Sequence, residues 1–250
     1  MKLPKVFKPD FDYKLSRIGS KHDGGYLIEN SSIEKAEFLI SFGISTNWDF
    51  EKEFINYKDI NFLAFDGSID EIFWKKNEKI AYEKLLRLSF IRYFKFKLIK
   101  KSFHQFFNKN NLITKYISKT LENSMNLLDV LNICKYKNNL FFKIDIEGSE
   151  YEILDDLIQY QEKIIGLAIE FHECNKNFKK IISFIKKFNL KLVHVHANNY
   201  DNNTEYKIPN TLEISFSRDP IPIKKFSGLP HKLDSPNRAR NKEIKLSFYE

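Results

Sequence analysis

The chain has 250 residues, of which 42% are hydrophobic and 30% charged, so it is long enough to bury a core and too apolar to be disordered. Cys134 and Cys174 form neither a CxxC pair nor a disulfide framework, which fits a reducing compartment. The chain starts without the apolar core of a signal peptide, and no stretch approaches the ~20 apolar residues of a membrane span. We therefore expect a single cytoplasmic domain over residues 1–250, in which residues 1–35 form a cap or loop.

Short apolar runs alternate with helical patterns along the chain. Runs that end in Gly, Asp or another polar residue predict buried parallel strands, whereas the alternating last run predicts an antiparallel edge strand. The predicted parallel strands span residues 36–44, 60–68, 139–148, 164–173 and 190–199, and the edge strand spans 211–218. Helices are predicted over 47–56, 123–136, 149–160 and 177–188, with Asn123 or Ser124 as the cap of the second. This alternation indicates an α/β fold with a mainly parallel sheet.

The segment 71–119 interrupts this alternation and carries most of the positive charge. Its eleven lysines and two arginines face three glutamates, a net charge of +10, whereas the whole chain has a net charge of +8. It is also rich in aromatic residues: Trp74, Tyr82, Phe90, Tyr93, Phe94, Phe96, Phe103, Phe106 and Phe107. We expect a helical insertion over the sheet edge, or a lid, with its aromatic side chains as its own core. Its charge either attracts phosphate, nucleic acid, anionic lipid or anionic glycan, or belongs to a solvated, lysine-rich surface.

Two residues at the ends of the first two predicted strands suggest a cofactor. Gly43 permits a tight turn that a cofactor can approach closely, although SFGISTNWDFE matches neither GxGxxG nor a phosphate loop. Asp66 follows about twenty positions later, where an acidic side chain can accept hydrogen bonds from both ribose hydroxyls. The two residues together favour a cofactor that contains a nucleoside. The alternative is that Asp66 only caps the turn that follows it, through Gly67.

Polar residues also follow three later strands. Asp145 and Glu147 stand where the run FFKIDIEG passes into a helix, Glu170 and His172 end the next strand, and His196 ends the one after. Because ligands of an open α/β sheet bind at the carboxyl ends of its strands, we expect these side chains to converge above the sheet. Acids and imidazoles in this arrangement suit either a divalent metal or an acid–base pair.

The stretch KIDIEGSEYEILDDL resembles the K-x-D-x-E-G-x-E-x-x-x-L signature of the FkbM-like family of S-adenosylmethionine-dependent methyltransferases. The stretches HDGGYLI, LISFGISTNWDFEKEF, LAIEFHE, VHVHANN and LEISFSR are similar to blocks of bacterial members from glycan and capsule clusters, in the same order. The resemblance implies a class I methyltransferase fold, which is Rossmann-like. Its seven-stranded sheet is mostly parallel, has helices on both faces, and holds the last strand inserted antiparallel.

The resemblance also implies S-adenosyl-L-methionine as the cofactor. The turn that contains Gly43, Ser45 and Asn47 would face the methionine part, and Asp66 would bind the ribose. Asp23 and Tyr26, in the sequence DGGY, would lie in a loop that closes over the cofactor or the substrate.

The implied activity is O-methylation of a hydroxyl on a sugar or on a nucleotide-linked capsule or lipopolysaccharide precursor. Asp145, His172 or His196 would then take the hydroxyl proton. Alternatively, a divalent metal such as Mg or Mn would lower the pKa of the acceptor, with Asp145, Glu170 and His196 as its ligands.

Two other classes of protein stay open. The glycine turn and Asp66 also fit a Rossmann-like nicotinamide oxidoreductase, although GxGxxG is missing and no Tyr-x-x-x-Lys pair has the right context. The basic, aromatic segment fits a non-enzymatic RNA-binding protein. Nucleic acid is the less favoured partner, because the carboxylates at the strand ends repel phosphate. The sequence indicates neither the oligomeric state nor the methylated position.

Overall fold

A seven-stranded sheet lies at the centre of the computed structural model, which describes residues 1–86, 90–134, 137–200 and 207–249. The strands are β1 (Lys2–Leu3), β2 (Phe11–Tyr13), β3 (Leu15–Gly19), β4 (Gly25–Glu29), β5 (Phe38–Phe42), β6 (Asn61–Phe65), β7 (Leu112–Ile113), β8 (Tyr116–Ile117), β9 (Ser124–Met125), β10 (Leu140–Ile144), β11 (Ile164–Phe171), β12 (Lys191–Ala197), β13 (Leu212–Ser217), β14 (Pro222–Lys225) and β15 (Ser247–Phe248). The helices are α1 (Asn30–Lys35), α2 (Asp49–Tyr57), α3 (Glu71–Leu86), α4 (Phe90–Phe106), α5 (Leu127–Ile133), α6 (Glu150–Gln159) and α7 (Cys174–Lys187). Residues 135–136 of the helix predicted over 123–136, and residues 87–89 of the segment 71–119, lie outside the described ranges.

The central sheet has the strand order β12-β13-β11-β10-β5-β6-β7. Its neighbouring strands pair in parallel, except that β13 is antiparallel to both β11 and β12. This is the topology expected of a class I methyltransferase fold, and the prediction of a mostly parallel, seven-stranded α/β sheet is confirmed. The prediction that the last strand lies at an edge is wrong, because β13 is inserted between two strands and β12 is the edge strand.

The alternating sequence of β13 has a different cause from the one the prediction assumed. Its polar residues Glu213, Ser215 and Ser217 are buried, as are its apolar ones. Two of them have buried partners: Glu213 pairs with His196, and the Ser217 hydroxyl donates to Glu29 at 3.0 Å. A polar residue at every second position therefore marks an internal polar network here and not a solvent-facing side of a strand.

Both faces of the sheet are covered by helices, and β10 shows how its residues divide between them. Phe142 and Ile144 belong to the core cluster that includes residues of α5, α6 and α7. Phe141 belongs to the cluster on the other face, with Phe50 and Phe54 of α2. A strand buried on both faces needs apolar side chains in both directions, which explains the near-continuous apolar run.

The helix α5 begins later than its predicted cap. Asn126 is the N-cap residue, and its side chain accepts a hydrogen bond from the Asp129 amide at 3.0 Å. The Asp129 carboxylate accepts in return from the Asn126 amide, which completes a capping box. Ser124, one of the two predicted caps, lies instead in the short strand β9.

Between β6 and β7 the chain forms α3 and α4, which pack against each other; residues 71–106 are called the helical hairpin below. Trp74 of α3 and Phe103 of α4 are buried in a cluster with Trp48 and with Ala64 of β6. This part agrees with the prediction that the aromatic side chains form a core. Tyr82 and Phe90, farther along the hairpin, are exposed.

Segments near the two ends of the chain pair with each other in two small sheets outside the central one. β1 pairs with β15 and β2 with β14. Within the described ranges, no helix combines the length and apolar character that a membrane crossing requires.

Candidate functional site

A cavity of about 550 Å³ lies at the carboxyl ends of β5, β6 and β10, where an open α/β sheet binds its ligands. Its volume is within the range common for small-molecule and cofactor sites. Five of the six residues predicted to bind the cofactor line it: Asp23, Gly43, Ser45, Asn47 and Asp66. The other walls come from the turn after β6, from residues 115–121 and from the start of the segment after β10.

Gly43 makes the close approach that the sequence suggested. Its φ is +74°, and a Cβ atom on it would lie 1.7 Å from the backbone oxygen of Asp145. Both facts exclude any other residue without movement of the backbone. At Gly43 the floor of the cavity is therefore formed by the backbone of two adjacent strand ends, which lie too close together for a side chain between them.

Asp66 organises the turns on either side of the cavity. One carboxylate oxygen accepts from the amides of Ile44 and Ser45 at 3.0 and 2.8 Å. The other accepts from the Ser68 amide at 2.8 Å and from its hydroxyl at 2.6 Å. Both alternatives raised by the sequence thus have a basis: Asp66 lines the cavity and also holds the turn that follows it.

The N-terminal loop contributes Asp23 to the cavity but directs Tyr26 elsewhere. The Asn47 side chain donates to the backbone oxygen of Asp23 at 3.0 Å, which ties the loop to the glycine turn. Tyr26 is buried, and its hydroxyl reaches Glu170 at 3.1 Å and Asp145 at 3.3 Å. Tyr26 was predicted to bind the cofactor, yet it is not among the residues that line the cavity; it lies in contact with the carboxylate of Asp145.

Lys143 and Glu51 belong to this site although neither was singled out in the sequence. Lys143 is buried on the central strand, donates a hydrogen bond to the Gly43 carbonyl, and lies 3.5 Å from the Asp145 carboxylate. Burial opposes its charge, but Asp145 and Glu51 raise the pKa of Lys143 above its ordinary value. Glu51 has no exposed surface, accepts from the Ser41 hydroxyl, and has its pKa raised by burial. The position of Lys143 inside the apolar strand β10 was the sequence signal that could have identified it.

His172 is surrounded by carboxylates. Its Nδ1 atom lies 2.8 Å from Glu150, which is fully buried, and its Nε2 atom lies 3.5 Å from Glu147, 3.8 Å from Glu170 and 3.9 Å from Asp145. Burial opposes protonation, but the hydrogen bond to Glu150 and the surrounding charges raise the pKa of His172 to about 10. At neutral pH the ring is therefore an imidazolium that donates to Glu150.

Among the described residues, one group has the geometry of a possible metal site: Asp145, Glu147 and His172, each with a ligand atom within 4.8 Å of the others. The metal ligands predicted from the sequence share only Asp145 with this group. Glu170 accepts hydrogen bonds from Tyr26 and from the Asn198 side chain.

His196 lies in a separate polar network. Its two ring nitrogens contact Glu213 at 3.0 Å and Glu243 at 2.5 Å. Burial opposes protonation here also, but the two carboxylates raise the pKa of His196 to about 10. Neither His172 nor His196 lines the cavity, whereas Asp145 and Glu147 do.

No protein-family model matches the chain, and no curated protein matches it. Among solved structures it is similar to a METTL16 methyltransferase domain, at 13% identity and a TM-score of 0.40 over 74% of this chain and 73% of that one. An rRNA methylase from Streptococcus thermophilus gives 10% identity and a TM-score of 0.38, over 75% of this chain and 92% of that one. A putative caffeoyl-CoA O-methyltransferase from Staphylococcus aureus gives 11% identity and a TM-score of 0.35, over 72% of this chain and 76% of that one. Likenesses this weak carry no conclusion about what this chain binds or methylates.

Proposed function

We propose that this chain is an S-adenosylmethionine-dependent O-methyltransferase that acts on a hydroxyl of a sugar or of a nucleotide-linked capsule or lipopolysaccharide precursor. The observation that carries the proposal is the cavity at the strand ends of a class I methyltransferase fold, with Gly43 on its floor and Asp66 and Asp145 in its walls. The resemblance of KIDIEGSEYEILDDL to the FkbM-like signature supports the substrate class.

The lining residues fit the proposed cofactor. Gly43 lines the cavity, and the turn over 43–47 supplies the polar side chains of Ser45, Thr46 and Asn47 for the methionine part. Asp66 would bind the ribose, with its carboxylate already held by three amides and a hydroxyl. When bound, the cofactor supplies a methyl group that its sulfonium has already activated. The protein then has to align an acceptor with that methyl group and to remove a proton.

We assign proton removal to Asp145, because it is the member of the predicted catalytic set that lines the cavity. Its carboxylate accepts the proton of the acceptor hydroxyl as the oxygen–methyl bond forms. Tyr26 and Lys143 contact this carboxylate and fix its position. His172, held by Glu150 and facing the other side of Asp145, positions the carboxylates and does not touch the acceptor.

A divalent cation is the second arrangement that this site would accommodate. Asp145, Glu147 and His172 would hold it with two carboxylates and an imidazole, once His172 had lost its Nε2 proton, and this donor set suits Mn²⁺ and, less well, Mg²⁺. The Glu150 carboxylate on the Nδ1 atom of His172 has the place of the outer-shell partner common around metal-bound histidines. The ion would lower the pKa of the acceptor hydroxyl. Activity that is lost on dialysis against a chelator and restored by Mn²⁺ supports this arrangement, and unchanged activity excludes it.

Methyl transfer from labelled S-adenosylmethionine to a set of nucleotide sugars tests the proposed function. Asp145→Asn should reduce kcat by about 10²–10⁴-fold, the usual contribution of a general base, with cofactor binding retained. Asp59→Asn, which changes an exposed carboxylate elsewhere, is the matched control and should leave kcat unchanged. Full activity of Asp145→Asn would overturn the assignment of the base. Binding of a nicotinamide cofactor in place of S-adenosylmethionine would overturn the proposed function itself.

A further inference from the structure

The outer surface of the helical hairpin is unusually apolar. On α4, Ile91, Phe94 and Leu98 are exposed over 84%, 60% and 67% of their surface. Their spacing of three and four residues places them in one stripe along the helix. Single exposed apolar residues need no explanation, but an aligned row of three such residues does.

A second stripe runs along α3 and mixes apolar with basic residues. Ile72, Lys75, Lys79, Tyr82 and Leu86 follow one another at spacings of three and four, and all five are exposed. Helical spacing of this kind puts them on one side of the helix. This side of α3 therefore carries positive charge next to its apolar side chains.

The charge of the hairpin restricts what covers these stripes. Residues 71–106 contain eight lysines and two arginines against three glutamates. Two of those glutamates are engaged within the hairpin, since Glu78 pairs with Lys97 and Lys100, and Glu71 pairs with Lys75. The surface therefore attracts an anionic partner and repels a second copy of itself.

We propose that the helical hairpin docks on an anionic lipid surface, with the apolar stripe of α4 in the interfacial layer and the basic residues against the headgroups. Ile91 and Leu98 gain from leaving water for the acyl boundary, as does Phe94 between them, whereas Phe94 alone in the α4 stripe offers an aromatic face on which a nucleic-acid base could stack. Positive charge and exposed aliphatic side chains together fit anionic lipid better than nucleic acid. The proposal does not rest on the proposed methyltransferase activity.

The hairpin also adjoins the cavity described above. Leu98 and Ile99 of α4 border a shallow groove with Thr46 and Asn47, and those two residues line the cofactor cavity as well. Docking through the stripe that contains Leu98 thus brings the rim of the cavity near the lipid surface. A lipid-linked acceptor would reach the cavity from that surface.

Co-sedimentation of the full chain with vesicles tests this proposal. One set of vesicles is pure phosphatidylcholine and the other an equimolar mixture with phosphatidylglycerol. Each basic residue near an anionic surface contributes about fivefold to partitioning, so the mixed vesicles should bind the protein far more strongly, with binding weakened by salt. The double change Ile91→Ser and Leu98→Ser should lower partitioning by about tenfold or more. The matched control is Ile221→Ser with Ile223→Ser, two exposed isoleucines outside the hairpin.

Four outcomes would overturn the proposal. The first is no preference for the anionic vesicles, and the second is equal loss of binding in the stripe variant and the control variant. The third is a fall in vesicle binding when RNA competes for the protein. The fourth is self-association of the chain that the stripe variant abolishes. Circular dichroism of the same samples shows that each variant is folded, which keeps the test separate from the proposed function.

Discussion

Replacing Lys143 by methionine should destabilise the protein strongly, because it leaves the buried Glu51 and the partly buried Asp145 without their cation. The Lys143 ammonium lies 3.5 Å from the Asp145 carboxylate, and Glu51 is buried nearby. At an effective dielectric constant of ~20, two unit charges at that distance attract by about 5 kcal/mol. Removing one partner of a buried pair commonly costs about 3–5 kcal/mol. We expect Lys143→Met to lower the free energy of unfolding by about 3–5 kcal/mol, and the melting temperature by about 6–20 °C for a chain of this size.

Urea denaturation at neutral pH measures this loss, with Lys52→Met, an exposed lysine on α2, as the control. Adding Glu51→Gln to Lys143→Met should restore part of the stability, because the buried one of the two acids left without a cation is then neutral. A loss below about 1 kcal/mol, equal to that of Lys52→Met, would refute the reasoning, since surface substitutions stay in that range.

The other predictions concern groups outside the cavity. His196 has a folded pKa of about 10, above its unfolded value, so its contribution to stability is complete below about pH 6.5 and is lost as the pH rises to about 10. The free energy of unfolding should therefore fall less steeply with rising pH in that window in His196→Asn than in the wild type, by up to about 1.4 kcal/mol per pH unit. An unchanged slope would contradict the raised pKa of His196. In the hairpin, hydrogen bonds from Lys100 and Lys97 lower the pKa of Glu78 to about 2. Glu78→Gln should speed amide exchange in α3 and α4, whereas Glu71→Gln, in an exposed pair within α3, should not; equal exchange in both variants would count against a bridge between the helices.

Sequence patterns predicted the fold well because the central strands are apolar on both faces. The strands around Phe42, Phe142 and Ile169 were recognised from local residues alone, and the order of the sheet agrees with the fold that the resemblance implied. The two-residue strand β7 was missed, since two residues are too few to show a period. The position of β13 was wrong because its polar side chains find buried partners far away in the chain.

The sequence predicted the site residues that lie at the strand ends, but not the buried charged residues that contact them. Gly43 and Asp66 line the cavity because their position after a strand fixes where they lie. Lys143 was missed although a lysine within an apolar strand was a visible signal, whereas the buried Glu51 and Glu150 show in the sequence only if their distant partners are known. The partner Glu243 of His196 lies 47 positions away along the chain, which no local pattern reveals.

Calorimetric titration of the purified chain with S-adenosylhomocysteine tests the central claim most directly. The account predicts saturable binding at one site, weakened at least tenfold by Asp66→Ala, since that change removes the carboxylate expected at the ribose and the hydrogen bonds that shape both turns. Circular dichroism of the variant shows whether it is still folded. A folded wild-type chain that binds no S-adenosylhomocysteine would contradict the account.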